Sequence, residues 1–78
     1  MEWSLETNRE GRPVYRCRVP YGNGVIVAGA VIDYRPGEPP FYALVRTPTV
    51  VDKWFYKLDD AKGFVIATYA EARMRGDM

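Results

Sequence analysis

Trp54-Phe55-Tyr56-Lys57-Leu58-Asp59-Asp60-Ala61-Lys62 joins a run of aromatic residues to the start of a helical pattern that continues to about Arg75. Asp59 and Asp60 fall in the first turn of that pattern and Arg73 and Arg75 in the last, an arrangement that complements the helix dipole. At 3.6 residues per turn, Leu58, Ala61, Val65, Tyr69 and Ala72 form one stripe, flanked by Phe64 and Ile66, that needs a surface to cover it. The aromatic run leads into this helix with almost no linker. An aromatic strand feeding an amphipathic helix after several strand-like segments specifies an α+β domain, an antiparallel meander of four to five strands covered on one face by a C-terminal helix.

Upstream, the segments alternate with the period of strands. Trp3 and Leu5 precede the turn residues Thr7-Asn8-Arg9-Glu10-Gly11. Tyr15, Cys17 and Val19 share one face of the next strand, the expected core face, with Val14, Arg16 and Arg18 on the other. Tyr21-Gly22-Asn23-Gly24 signals a hairpin turn. Gly24 to Tyr34 is the longest apolar segment, its β-branched residues favour a central strand, and Gly29 within it predicts a bulge or a close helix crossing. Arg35-Pro36-Gly37-Glu38-Pro39-Pro40 reads as a loop, because consecutive prolines cannot continue a ladder. Phe41 to Thr47 is the fourth strand, with Phe41, Ala43 and Val45 on one face, and Thr47-Pro48-Thr49 ends it. Val50 to Tyr56 fits either a fifth strand or a connector.

The 78 residues suffice for one domain spanning 1–78, with no repeat or low-complexity tract. A hydrophobic content of 47% with 27% charged residues describes an ordered globule. Eleven basic and ten acidic residues leave a net charge of +1, too balanced for a generic polyanion binder. The single cysteine precludes an internal disulfide and fits a reducing cytoplasm. No membrane span or secretory signal is expected from the residues given.

Histidine is absent and Cys17 stands alone, so a histidine-based nucleophile and a zinc site are not expected, and neither a cofactor nor a catalytic or metal-binding residue is assigned. Asp59-Asp60 reads as dipole complementation rather than a catalytic pair. Cys17 is expected to be buried and inert, its arginine neighbours pointing to the other face. Tyr21-Gly22-Asn23-Gly24 precedes a strand, where phosphate loops need a helix.

Two surfaces remain as binding candidates. On the helix, Gly63, Ala67, Ala70 and Met74 lie opposite the core stripe and, with Asp59, Asp60 and Glu71, form an uncharged strip with acidic borders suited to a protein partner or a homodimer seam. On the sheet, Arg16, Arg18, Tyr42 and Arg46 project to the face away from the core, an alternative surface for nucleic acid. Eight of the eleven cations are Arg, the residue suited to bidentate phosphate or carboxylate contacts. Cross-strand pairing with Asp33, Glu6 or Glu10 would instead make this a solvated sheet face.

With Tyr15-Arg16-Cys17-Arg18-Val19 in an early strand and Trp54-Phe55-Tyr56-Lys57-Leu58-Asp59-Asp60-Ala61-Lys62 entering the helix, the chain resembles small phage and mobile-element proteins, some anti-CRISPR proteins among them. That resemblance implies a stoichiometric inhibitor in the cytoplasm of a bacterial host; the absent histidine and lone cysteine point to a non-enzymatic protein, and monomer and homodimer both stay open. Its partner would be a host protein or ribonucleoprotein such as a CRISPR effector, with DNA loading or nuclease recruitment blocked. It assigns no residue a role.

Overall fold

In a computed structural model, residues 2–47 and 49–76 are described. Five strands, β1 (Glu2–Thr7), β2 (Pro13–Tyr21), β3 (Gly24–Asp33), β4 (Phe41–Thr47) and β5 (Thr49–Phe55), precede one helix, α1 (Leu58–Met74). The strands pair in sequence order, every neighbour antiparallel, and α1 packs across β3, β4 and β5. This is the expected α+β meander with one covering helix. The segment whose periodicity left strand and connector open is a full edge strand, paired with β4 from Phe41↔Phe55 to Thr47↔Thr49. Pro48, within the break read after β4, lies outside the described residues.

Each turn follows from its residues. Asn8 accepts from the backbone N–H groups of Glu10 (3.0 Å) and Arg12 (2.9 Å) through its side-chain oxygen, and Gly11 takes a φ of +80°, so β1 and β2 are joined by a side-chain-stabilised turn. Gly22 supplies the positive φ between β2 and β3. Between β3 and β4 the Gly37 N–H donates to the Tyr34 carbonyl at 2.8 Å and the Tyr34 N–H to the Pro40 carbonyl at 2.7 Å, closing the proline-rich loop on itself. Only Tyr56 and Lys57 separate β5 from α1. Lys57 occupies the N-cap without a capping side chain, and Asp59 and Asp60 in the first turn supply the favourable charge instead.

The core lies between α1 and the covered face of the sheet. Cys17, Val19, Val31, Phe41, Ala43 and Val45 meet Ala61, Val65 and Tyr69 of the helix, with Trp3, Tyr15, Leu58 and Phe64 packed at the margins. Ala61, Val65, Tyr69 and Ala72 are buried as the stripe requires. Val31, Val45 and Val65 have no exposed surface, and burying each contributes about 1.5–3 kcal/mol. Leu5 of the edge strand remains 64% exposed, so β1 adds Trp3 rather than Leu5 to the core. Gly29 fulfils both readings of its position. The ladder shifts register beside it, between Cys17 and Arg18, and a Cβ built on it would lie 2.7 Å from both the Leu44 carbonyl oxygen and Val65 Cγ1.

Candidate functional site: two uncovered surfaces

Strand register assigns the face that α1 leaves open, because directly paired residues project to the same side. Three rows cross it. Glu6, Val14, Ile32, Tyr42 and Trp54 form the first, Ser4, Arg16, Ala30, Leu44 and Asp52 the second. Glu2, Arg18 and Val27 share the third with Arg46 and Val50. The small side chain of Ala30, between those of Arg16 and Leu44, floors a groove of about 300 Å³ walled by Val14, Val27 and Arg46. The groove is mostly apolar, with guanidinium groups on its rim.

The structure places Arg16, Arg18, Tyr42 and Arg46 on this one face, as the alternation of their strands predicts, but gives them different surroundings. Glu6 engages two of the arginines, Arg16 Nε at 3.3 Å and Arg18 Nη1 at 2.8 Å, while the Ser4 hydroxyl donates to Glu6 at 3.0 Å and accepts from Arg18. The hydrogen bond from Arg18 is the main cause holding the Glu6 carboxyl below its ordinary range. Of the three cross-strand partners considered, Glu6 alone takes Arg16 and Arg18. Asp33 is claimed by Arg35, and Glu10 lies 3.9 Å from Arg12. No carboxylate pairs with Arg46 among the described residues.

Tyr42 sits away from Arg46, at the other end of the face. Its hydroxyl donates to Asp52, a bond that pushes the phenol above its usual range, and its ring packs 4.9 Å from Trp54. Tyr34 completes the cluster, 5.4 Å from Trp54 and 6.5 Å from Tyr42, with the Arg12 guanidinium 4.9 Å above its own ring. The Tyr34 and Trp54 members were absent from the alternation argument, because Tyr34 follows the end of β3 and Trp54 belongs to the strand that periodicity left open. The pairing Tyr42↔Trp54 is the signal that unites them.

The second surface is the outward side of α1. Gly63, Ala67, Ala70 and Met74 are all exposed, Met74 at 88%, and nothing lies within 4 Å of the position a Gly63 Cβ would take. Asp59, Asp60 and Glu71 are exposed beside them, and Glu71 pairs with Arg75 one turn on at 2.9 Å. The strip is therefore a real, continuous surface, although α1 itself supplies no concavity there beyond a shallow hollow between Tyr69, Ala70, Arg73 and Met74.

Chemistry is confined elsewhere. Cys17 has no exposed surface and its burial pushes the thiol upward, so it is a core side chain. Asp33 is the one charged side chain buried among the described residues. It accepts Arg35 Nε at 2.8 and 3.0 Å and the Arg35 backbone N–H at 2.9 Å, and the side-chain bond lowers its carboxyl. This is a structural clasp at the start of the β3–β4 loop, saturated by its own partner. No group of three or more metal-ligating side chains occurs among the described residues, and no helix there is long and apolar enough to cross a membrane. No protein-family model, curated protein or solved structure matches the chain.

Proposed function

We propose that this chain is a non-enzymatic binding protein acting at stoichiometric ratio, and that it is a phage-encoded anti-CRISPR inhibitor that covers part of a host effector complex and so blocks DNA loading or nuclease recruitment. The observation that carries the binding reading is the one-sided cover. A single helix packs on one face of the sheet and leaves two broad surfaces of low net charge, the open sheet face and the outward strip of α1. Val27, Val50 and Trp54 on the sheet face and Met74 on the helix are large apolar side chains left exposed there, the kind of surface that serves as an interaction site when contiguous. The resemblance in layout supplies the class of target, a protein or ribonucleoprotein in the bacterial cytoplasm.

The test is inhibition of purified effector complexes of several CRISPR types, read as DNA binding and DNA cleavage against the ratio of added protein. Inhibition should saturate once protein matches effector. Loss of effector activity at a small fraction of that ratio would refute a stoichiometric mechanism. Unimpaired targeting in every type tested, together with unrestored plaques in phage challenge, would remove the CRISPR assignment and leave the binding reading.

A second reading, direct nucleic-acid binding, is favoured by Arg46, which has no carboxylate partner among the described residues, and by the Tyr34–Tyr42–Trp54 cluster on the same face. Against it, Glu6 already neutralises part of the charge on Arg16 and Arg18, and phosphate contact would have to displace it. Micromolar binding of labelled DNA or RNA at physiological salt that is lost in Arg16→Glu/Arg18→Glu would promote this reading over the first.

A further inference from the structure

The open sheet face balances its own charges and carries apolar side chains around a groove, and we infer that it packs against the same face of a second copy of this chain, giving a two-fold dimer layered helix, sheet, sheet, helix. The inference rests on the reading of this face as a protein contact rather than a nucleic-acid one. Its three rows carry Arg16, Arg18 and Arg46 against Glu2, Glu6 and Asp52, three cations to three carboxylates. A two-fold interface sets one patch against its own image, so a patch of one sign would repel itself. A balanced one does not, and it gives no broad attraction to a polyanion.

Apolar lining and area agree. Ile32 and Leu44 line the groove floored by Ala30 together with Val14 and Val27, so two copies meeting here would set apolar groove walls against one another. Val27 at the groove wall (46% exposed) and, beyond the groove, Val50 (50%) and Trp54 (47%) are large apolar side chains on the face away from α1. At strand spacings near 4.8 Å and about 6.8 Å between rows, five strands and three rows cover roughly 500 Å² per copy. Two copies give about 1,000 Å², the lower bound for a specific interface. The dimer should accordingly form and dissociate within an accessible concentration range. It turns both α1 helices outward, so Gly63, Ala67, Ala70 and Met74 stay free for the target.

Analytical ultracentrifugation of the full chain from about 1 to 300 μM tests this. The expected result is a mass rising from 8.9 kDa toward twice that value with concentration. Val27→Lys and Val50→Lys, both at exposed strand positions, should hold the mass at the monomer with an unchanged circular dichroism spectrum, whereas Ala67→Arg should leave dimerisation intact. A second reading comes from fluorescence in a Trp3→Phe background, where Trp54 is the remaining indole and its emission should shift to the blue as the dimer forms. A mass of one chain throughout the range overturns the proposal, and leaves effector inhibition, assayed separately, untouched. A dimer broken by Ala67→Arg and unaffected by both lysine variants also overturns it, placing the seam on α1.

Discussion

Replacing Gly29 by alanine adds one methyl group where the covering helix meets the sheet, and the structure sets its consequence. The new Cβ would lie 2.7 Å from the Leu44 carbonyl oxygen, 2.7 Å from Val65 Cγ1 and 3.0 Å from Val45 Cγ2. Val65 and Val45 are fully buried and the oxygen belongs to a paired strand, so none of the three can move aside without disturbing its own packing. Overpacking of this kind costs about 1–3 kcal/mol, and the alanine's reduced freedom in the unfolded chain offsets only ~0.4–1 kcal/mol of that. Gly63→Ala is the matched control on the exposed side of α1. Its Cβ enters open space in a helix interior and should stabilise by about 0.5–1 kcal/mol. In urea melts of a domain this size, with a slope near 1 kcal/mol per molar, the two variants should move the midpoint in opposite directions by roughly 1 M or more in total. An unchanged or raised midpoint for Gly29→Ala would refute the close crossing of α1 over β3, and with it the reason α1 seats on one face so tightly.

Cys17 should resist a thiol reagent in the native protein and react at a rate that follows global unfolding, since it is sealed in the core; rapid native-state labelling would contradict its burial. Asp33→Asn should destabilise by about 1.5–3 kcal/mol at pH 7, where the clasp to Arg35 is fully formed. The carboxyl is lowered in the folded state, so its contribution is present above the unfolded value near 4 and is lost as pH falls through the folded one. Melts of wild type and Asp33→Asn should therefore draw together as pH falls below the unfolded value, and a difference that stays constant through acidification would refute the ionic clasp. Glu6→Gln should leave the fold unchanged and create weak, salt-sensitive DNA binding at low ionic strength by freeing Arg16 and Arg18. Gel shifts that show wild type and Glu6→Gln to be alike would mean that Glu6 does not govern the charge of this face.

Much of the architecture was legible because its elements obey strong periodicities. The stripe Ala61, Val65, Tyr69 and Ala72 and the alternation Phe41, Ala43 and Val45 each point one way, and both are buried as that pattern requires. The edge strand was harder to read. Thr49–Phe55 is exposed along almost its whole length, so no burial alternation marks it in the sequence; its existence depends on pairing with β4. For the candidate surfaces, alternation placed Arg16, Arg18, Tyr42 and Arg46 together, but long-range register decided their chemistry. Leu5↔Tyr15 and Glu6↔Val14 bring the Glu6 carboxylate beside two arginines about ten residues away, a proximity no local pattern encodes.

The bulge beside Gly29 determines what the open face presents. Strict alternation along β3 would keep Val25 and Val27 on the same side as Gly29 and Val31, toward α1. Instead the ladder runs Cys17↔Gly29 and then Arg18↔Val27, with Ala28 as the extra residue. From that point the strand is inverted. Ile26 pairs with Val19 and packs on the core, while Val27 and Val25 join Arg18 and Pro20 on the open side. The inserted residue is alanine, small enough to be buried at the kink, and it immediately precedes the glycine that admits the helix. Two adjacent small residues thus serve opposite faces: Gly29 lets α1 approach closely enough to seal one side, and the bulge at Ala28 turns two valines out onto the other. The inversion exchanges one apolar set for another, Ile26 inward for Val25 and Val27 outward. Turned outward, Val25 and Val27 remain 63% and 46% exposed, apolar surface on the side where the proposed second copy would pack.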